Sequence, residues 1–319
     1  LAKFVLMTSV NQQVFVARAL PVDVRSYFGP GVKVDVFGAP RPPTRAELLA
    51  EAKGAGGLVT LLSDVVDGAL LDALPDVRVV ANFAVGYDNV DVDACTARGV
   101  WVTNTPDVLT EATADLTFAL ILALARRIRE GERLVREGRF DGWSPTMLLG
   151  MELGEKTLGI FGPGRIGSAV ARRGEAFGME ILVTGRESGV PFDELLASSD
   201  VLSIHVPLTE DTRHAFDEAA LSKMKPGSLL INTARGPIVD EKALVNALDA
   251  GRIAGAGLDV YEEEPKVHPG LLKRDDVVLL PHLGSATRET RRAMARLALT
   301  NCAAVLRGER PPNPVNELG

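Results

Sequence analysis

The chain carries only two cysteines, Cys95 and Cys302, among 319 residues. That excludes a disulfide framework and a cysteine-rich zinc site. Its four histidines, at 205, 214, 268 and 282, include no pair at the spacing of a helical metal site, so no metal is expected. Long apolar runs are missing too. The longest, residues 116–125, is followed by Arg126 and Arg127 and falls well short of the roughly 20 residues that span a bilayer. The first residues lack the charged start, apolar run and small-residue cleavage site of a secretory signal. A cytoplasmic location without membrane association is therefore expected. Positive charge is not in excess: 35 Lys+Arg against 42 Asp+Glu leave a formal charge of −7, which argues against nucleic acid as a partner. Two mildly basic runs, 126–139 and 288–296, lie on helical patterns with interspersed Glu and read as solvated or subunit-contacting faces.

What is present is an ordinary globular composition, 46% hydrophobic and 24% charged, with enough length for two domains. Short apolar strands alternate with helices throughout, which predicts α/β architecture with doubly wound parallel sheets covered on both faces. The pattern places strands at residues 3–7, 32–37, 57–62, 77–82 and 100–102, and a helix at 14–20. Thr44 with Glu47 forms a capping-box pattern ahead of a helix over 45–53. A long helical stretch over 109–138, broken at Gly131, separates this array from a second one. There, strands are expected at 156–161, 180–184, 201–204, 228–231, 255–258 and 277–280, and a final helix at 287–307 is long enough to return to the first domain. The domains read as 104–282, continuous, and 1–103 with 283–319, discontinuous.

The sharpest motif is Gly162-Pro163-Gly164-Arg165-Ile166-Gly167, after a strand and opening a helix. In that context the first Gly allows the tight turn, the second the close approach of a pyrophosphate, and the third helix–strand packing. The helix start offers unpaired N–H groups to the phosphates. The next strand ends in Thr184-Gly185-Arg186, where an NAD site usually has an acid for the ribose 2′-OH. An Arg there pairs with a 2′-phosphate, so NADP(H) is favoured over NAD(H). Glu187, turned inward, would reverse that preference.

Three more segments fall at carboxyl ends of expected strands: Asn232-Thr233-Ala234-Arg235-Gly236, Leu258-Asp259-Val260-Tyr261-Glu262-Glu263-Glu264-Pro265, and Pro281-His282-Leu283-Gly284-Ser285. In an open parallel sheet that edge faces the ligand. A guanidinium to bind a carboxylate and polarise a carbonyl, and an imidazole supported by an acid, suit hydride transfer to a 2-oxo acid. His205, at another strand end, reads as lining the cofactor, while His214 and His268 read as surface residues.

These motifs, with Val85-Gly86-Tyr87-Asp88-Asn89-Val90-Asp91 and Glu111-Ala112-Thr113-Ala114-Asp115, resemble the D-isomer-specific 2-hydroxyacid dehydrogenase family along nearly the whole chain. Thr184-Gly185-Arg186 and Gly142-Trp143-Ser144-Pro145 are most similar to its glyoxylate/hydroxypyruvate reductases. The resemblance implies a Rossmann cofactor domain inserted in a flavodoxin-like substrate domain, and NAD(P)H-dependent reduction to a D-2-hydroxy acid. It implies that Arg235 binds substrate, His282 exchanges the proton and Glu264 supports His282. The amides of Val85 and Gly86 would hold the substrate carboxylate. Cofactor contacts would come from Thr113, the glycine loop with Arg165 and Ile166, Gly185, Arg186, His205, Thr233, Ala234, Asp259, His282 and Gly284. A homodimer is implied as well, with Trp143 reaching the partner's substrate mouth. A phosphoglycerate or other 2-hydroxyacid dehydrogenase, and a nicotinamide-sensing corepressor on the same scaffold, are the competing readings. A C-terminal regulatory domain is not expected.

Overall fold

The computed structural model describes residues 12–186 and 188–318. The strand expected at 3–7 lies outside them. Two compact units result: Leu1–Leu109 with Thr287–Gly319, and Thr110–Ala286. Both boundaries fall slightly beyond the expected 103/104 and 282/283, for a local reason. The amides of Asn104 and Thr105 bond to Asn313 and Ala84 of the first unit, and those of Leu283 and Gly284 bond to Asp259 of the second.

The first unit holds five parallel strands: β1 (Gln13–Val16), β2 (Lys33–Val36), β3 (Gly57–Thr60), β4 (Val79–Asn82) and β5 (Trp101–Thr103), in the order β2-β1-β3-β4-β5. This is the flavodoxin-like order. Residues 14–20 are therefore not a helix. Val14, Phe15 and Val16 are buried as strand β1. A short apolar run does not separate buried strand from helix by period, and here β-branched and aromatic content decides for strand. The capping box forms as read: the Thr44 side chain accepts from the Glu47 amide, and Glu47 reaches back to the Thr44 amide. Helix Arg288–Leu306 covers β3 and β4. At Gly57 the approach is so close that a Cβ would meet Cys302 Sγ at 2.5 Å.

The second unit holds six parallel strands: β6 (Thr157–Phe161), β7 (Glu180–Thr184), β8 (Val201–Ile204), β9 (Leu229–Asn232), β10 (Gly255–Leu258) and β11 (Val277–Leu279), in the order β11-β10-β9-β8-β6-β7. Strands β8, β9 and β10 are buried along their full length, as expected of a sheet with both faces covered. The chain runs outward from β6 to β7, then returns to the other side of β6 to form β8. The order thus reverses between β6 and β8, which is where such a sheet opens a ligand crevice at its carboxyl edge.

The long helical stretch breaks at Arg127, not at Gly131. Helix Thr110–Ala125 ends where the Met151 amide takes the Ala125 carbonyl at 2.7 Å. Arg127 then turns left-handed (φ 50°) and helix Ile128–Arg136 runs through Gly131. Helix Thr110–Ala125 is tied to the helix after the glycine loop, Arg165–Ala176, by Arg173 pairing with Glu111 at 2.8 Å and Asp115 at 2.5 Å. The Phe118 and Phe177 rings stack beside these pairs at 5.2 Å. Among the described residues no helix is long and apolar enough to cross a membrane, and no cluster of three His, Cys, Asp or Glu could hold a metal ion.

Candidate active site

The glycine loop leaves β6 at the reversal point, and its three glycines are used differently. Gly162 is left-handed (φ 100°), and a Cβ there would lie 2.8 Å from the backbone of His205, the exit of β8. At Gly167 a Cβ would meet the Gly162 carbonyl oxygen at 2.2 Å. At Gly164 it would face open space. No side chain caps the helix that starts there, so helix geometry leaves the amides of Ile166 and Gly167 without an intrahelical partner. An open approach to unpaired amides at a helix N-terminus is what a dinucleotide pyrophosphate requires.

After β7, Gly185 donates to Ser188 at 2.8 Å in a tight turn that presents Arg186 to solvent. Glu187 lies outside the described residues. After β8, the His205 ring meets Ser203 Oγ at 2.8 Å. Burial pushes its pKa down to about 3, so this histidine is neutral and no proton donor.

The Arg, acid and His come from the ends of β9, β10 and β11. Asn232 closes β9. Its side chain accepts from the Ala234 amide and donates to the Arg235 carbonyl, folding the turn that carries Arg235. In the turn after β10, Glu264 Oε1 accepts from the Tyr261 amide at 3.1 Å, and Oε2 lies 3.1 Å from His282 Nδ1. Burial works to raise the Glu264 carboxyl. The hydrogen bond and charge of His282, the Tyr261 amide and the charge of Arg235 outweigh it and hold the group below its ordinary value. With Nδ1 committed to a carboxylate, His282 is left Nε2 for proton exchange.

His282 sits in a left-handed conformation (φ 56°) held from several sides. Its amide donates to the Asp259 carbonyl at 2.9 Å. The Asp259 carboxylate takes the Leu283 and Gly284 amides at 2.6 and 2.7 Å, and the Thr113 hydroxyl donates to the Gly284 carbonyl at 3.1 Å. Tyr261 Oη donates to the Leu280 carbonyl. Asp259 and Thr113, expected as cofactor contacts, thus have polar atoms engaged in holding the loop of His282. Thr233 Oγ1 meets Thr117 Oγ1 at 3.0 Å beneath the Ala234–Arg235 turn. Tyr261 and Asn232 were not singled out from the sequence; an Asn closing a buried strand was the available signal.

In the first unit, Val85 and Gly86 follow β4. Asn104 Nδ2 donates to the Val85 carbonyl at 2.8 Å, and the buried Asn82 donates to the Gly86 carbonyl at 2.9 Å. Both carbonyls are engaged, and both amides are without a partner among the described residues. Two such amides in sequence suit a carboxylate. Trp143 is 82% exposed, in a stretch between helix Ile128–Arg136 and β6 that also exposes Phe140 and Leu149.

A cavity of about 610 Å³ opens at the opposite, amino-terminal edge of the second sheet, lined by Leu229, Ala254 and Asp276 among others. Its three arginines are engaged, Arg127 with Glu130, Arg274 with Asp249 and Asp276, and Arg129 with the Arg274 and Val277 carbonyls, and it holds neither the glycine loop nor Arg235, Glu264 or His282.

Residues 118–284 match the profile of the D-isomer specific 2-hydroxyacid dehydrogenase, NAD binding domain. A glyoxylate reductase of Thermococcus litoralis is 48% identical over 97% of this chain and 98% of its own length. Among solved structures, an NADPH-dependent glyoxylate/hydroxypyruvate reductase of Sinorhizobium meliloti, in complex with NADP and malonate, is 38% identical with a TM-score of 0.85, covering 96% of this chain and 97% of that one. A glyoxylate reductase from Paecilomyes thermophila is 36% identical, also with a TM-score of 0.85, covering 95% and 98%.

Proposed function

Because this chain belongs to the D-isomer-specific 2-hydroxyacid dehydrogenase family, we propose that it reduces glyoxylate to glycolate and hydroxypyruvate to D-glycerate, with His282 as proton donor. The observation that carries this reading is the His282 Nδ1–Glu264 Oε2 contact of 3.1 Å, under the charge of Arg235, in the unit that holds the glycine loop. A reduced nicotinamide, when bound, supplies the hydride. The protein's residues do the rest. In the second unit the Arg235 guanidinium binds the substrate carboxylate and polarises the keto oxygen; in the first unit the adjacent Val85 and Gly86 amides are a pair suited to a carboxylate. The Glu264 carboxylate holds His282 through Nδ1, and Nε2 delivers a proton as negative charge develops on oxygen. In the reverse direction neutral His282 is the base.

NADP(H) is the proposed cofactor. An exposed Arg186 at the end of β7, with no acid at the last strand position, favours a 2′-phosphate over a free ribose hydroxyl. A homodimer is proposed from the apolar residues exposed on one continuous stretch, Ile128, Val135, Phe140, Trp143 and Leu149.

The test is oxidation of NADPH and NADH, followed by absorbance, with glyoxylate, hydroxypyruvate and phosphohydroxypyruvate. Turnover of the first two and loss of kcat in His282→Ala are expected. Near-native kcat in that variant would remove His282 from the role, and preference for phosphohydroxypyruvate would change the substrate.

A further inference from the structure

Three acids stand in a row after β10, and the proposed chemistry uses one of them. Glu263 is exposed beside Lys266. Glu262 is held from two sides. Its Oε1 lies 2.6 Å from His214 Nε2, and its Oε2 accepts from the Glu241 amide at 3.2 Å. Glu241 answers: its Oε1 accepts from the Glu262 amide at 2.9 Å and its Oε2 from the His268 amide at 3.1 Å. The reciprocal pair joins the turn that carries Glu264 to the start of helix Glu241–Asp249.

That helix follows directly on the turn of Arg235. Between them, a Cβ at Gly236 would lie 1.8 Å from the Tyr261 carbonyl group and 2.5 Å from the Glu262 nitrogen. The backbone just after Arg235 therefore lies flat on the peptide just before Glu262. His214, expected at the surface, adds a third segment: its amide donates to the Pro237 carbonyl at 2.8 Å while its ring meets Glu262. Placing two carboxylates this close is electrostatically unfavourable. Burial, aided by Glu262, raises the Glu241 carboxyl despite the amides it accepts. An arrangement of this kind contributes definite position more than stability.

We propose that Glu262, clamped by Glu241 and His214, is a positioning residue that fixes the turn of Arg235 against the turn of Glu264. The guanidinium and the carboxylate–imidazole pair then address one carbonyl together. The proposal rests on the reaction given above, so turnover by the unaltered enzyme is measured first. Its failure counts against the reaction, whereas an active enzyme with indifferent variants counts against the clamp alone.

The readout is the pH profile of 2-oxo acid reduction together with kcat and KM. His282 is faced by Glu264 and Asp259, and Glu264 also by Arg235. Glu262 is faced by His214 and Glu241, and Glu241 by His268. Reduction needs protonated His282, so a loosened Glu264 moves the descending limb of the profile to lower pH. Glu262→Ala is expected to lower kcat about tenfold, with little change in KM, and to move that limb. Glu262→Gln is expected to restore both, because an amide can still accept from Glu241 and donate to His214. Native kcat with an unmoved limb in Glu262→Ala overturns the proposal. So does a loss of kcat that only matches the loss of folded, cofactor-binding enzyme. If Glu262→Ala yields no folded protein, His214→Ala decides: a moved limb supports the clamp and an unmoved one overturns it.

Discussion

A carboxylate held ionised beside an imidazole sets the working pH range of the pair. Glu264→Gln keeps the shape and removes the charge. Reduction by this variant should weaken, and its descending pH limb should move to lower pH, as read from kcat/KM profiles. His205 has the opposite environment. Its pKa is pushed down to about 3 by burial, whereas the unfolded chain takes up that proton near pH 6.5. Between these values the unfolded state binds the extra proton, so stability falls as the pH falls, by up to about 1.4 kcal/mol per unit. In His205→Asn that part of the slope should vanish in denaturant titrations at pH 7 and 5. At this scale strand-end position and residue type pointed to an Arg, an acid and a His, whereas the choice of Glu264 among three consecutive acids came from the family resemblance; the structure sets that carboxylate 3.1 Å from His282. The sequence was silent where the partner is backbone. Nothing in the letters says that Asp259 spends its carboxylate on the Leu283 and Gly284 amides, or that Asn82 and Asn104 hold the Val85–Gly86 carbonyls.

Among the elements, the glycine loop offers a paired test. Gly162→Ala puts a side chain on a left-handed residue against the exit of β8, and should lower the melting temperature as well as cofactor affinity. Gly164→Ala meets no protein atom and keeps ordinary backbone angles. Its stability should stay within about 0.5 kcal/mol of the parent, while its Kd for the dinucleotide rises, because the methyl stands where the pyrophosphate approaches. Equal thermal loss in both would remove the distinction drawn between the two glycines. Strands β8, β9 and β10 were legible because burial on both faces makes each a short, largely apolar run. Two elements were not. Residues 14–16 are too few for a period to emerge, and the break at Arg127 is imposed by the Met151 backbone from outside the helix.

For the whole molecule, the second unit is one continuous segment that contains its entire sheet, its core and the glycine loop. Residues 110–286 expressed alone should fold and bind NADP(H), measured by quenching of the cofactor's fluorescence, yet show no turnover, because Val85 and Gly86 are missing. Failure of that fragment to fold would show that its core depends on the first unit. Trp143→Ala should leave folding unchanged and alter the choice between glyoxylate and larger 2-oxo acids, read as the ratio of their kcat/KM values. The αβ alternation made both sheets legible, but the residue at which the chain passes from one unit to the other was not. That point depends on which carbonyls Asn104 and Thr105 find.

The covering of β3 and β4 by helix Arg288–Leu306, closed by the contact at Gly57 and Cys302, also dictates an order of events on the ribosome. The first strands to emerge wait for the final helix before one face is sealed, while the segment between can finish folding in the meantime. A nascent chain arrested shortly before residue 288 would therefore display a completed nucleotide-binding fold beside a sheet with bare apolar strands, and would be a client for chaperones until its last turns arrive.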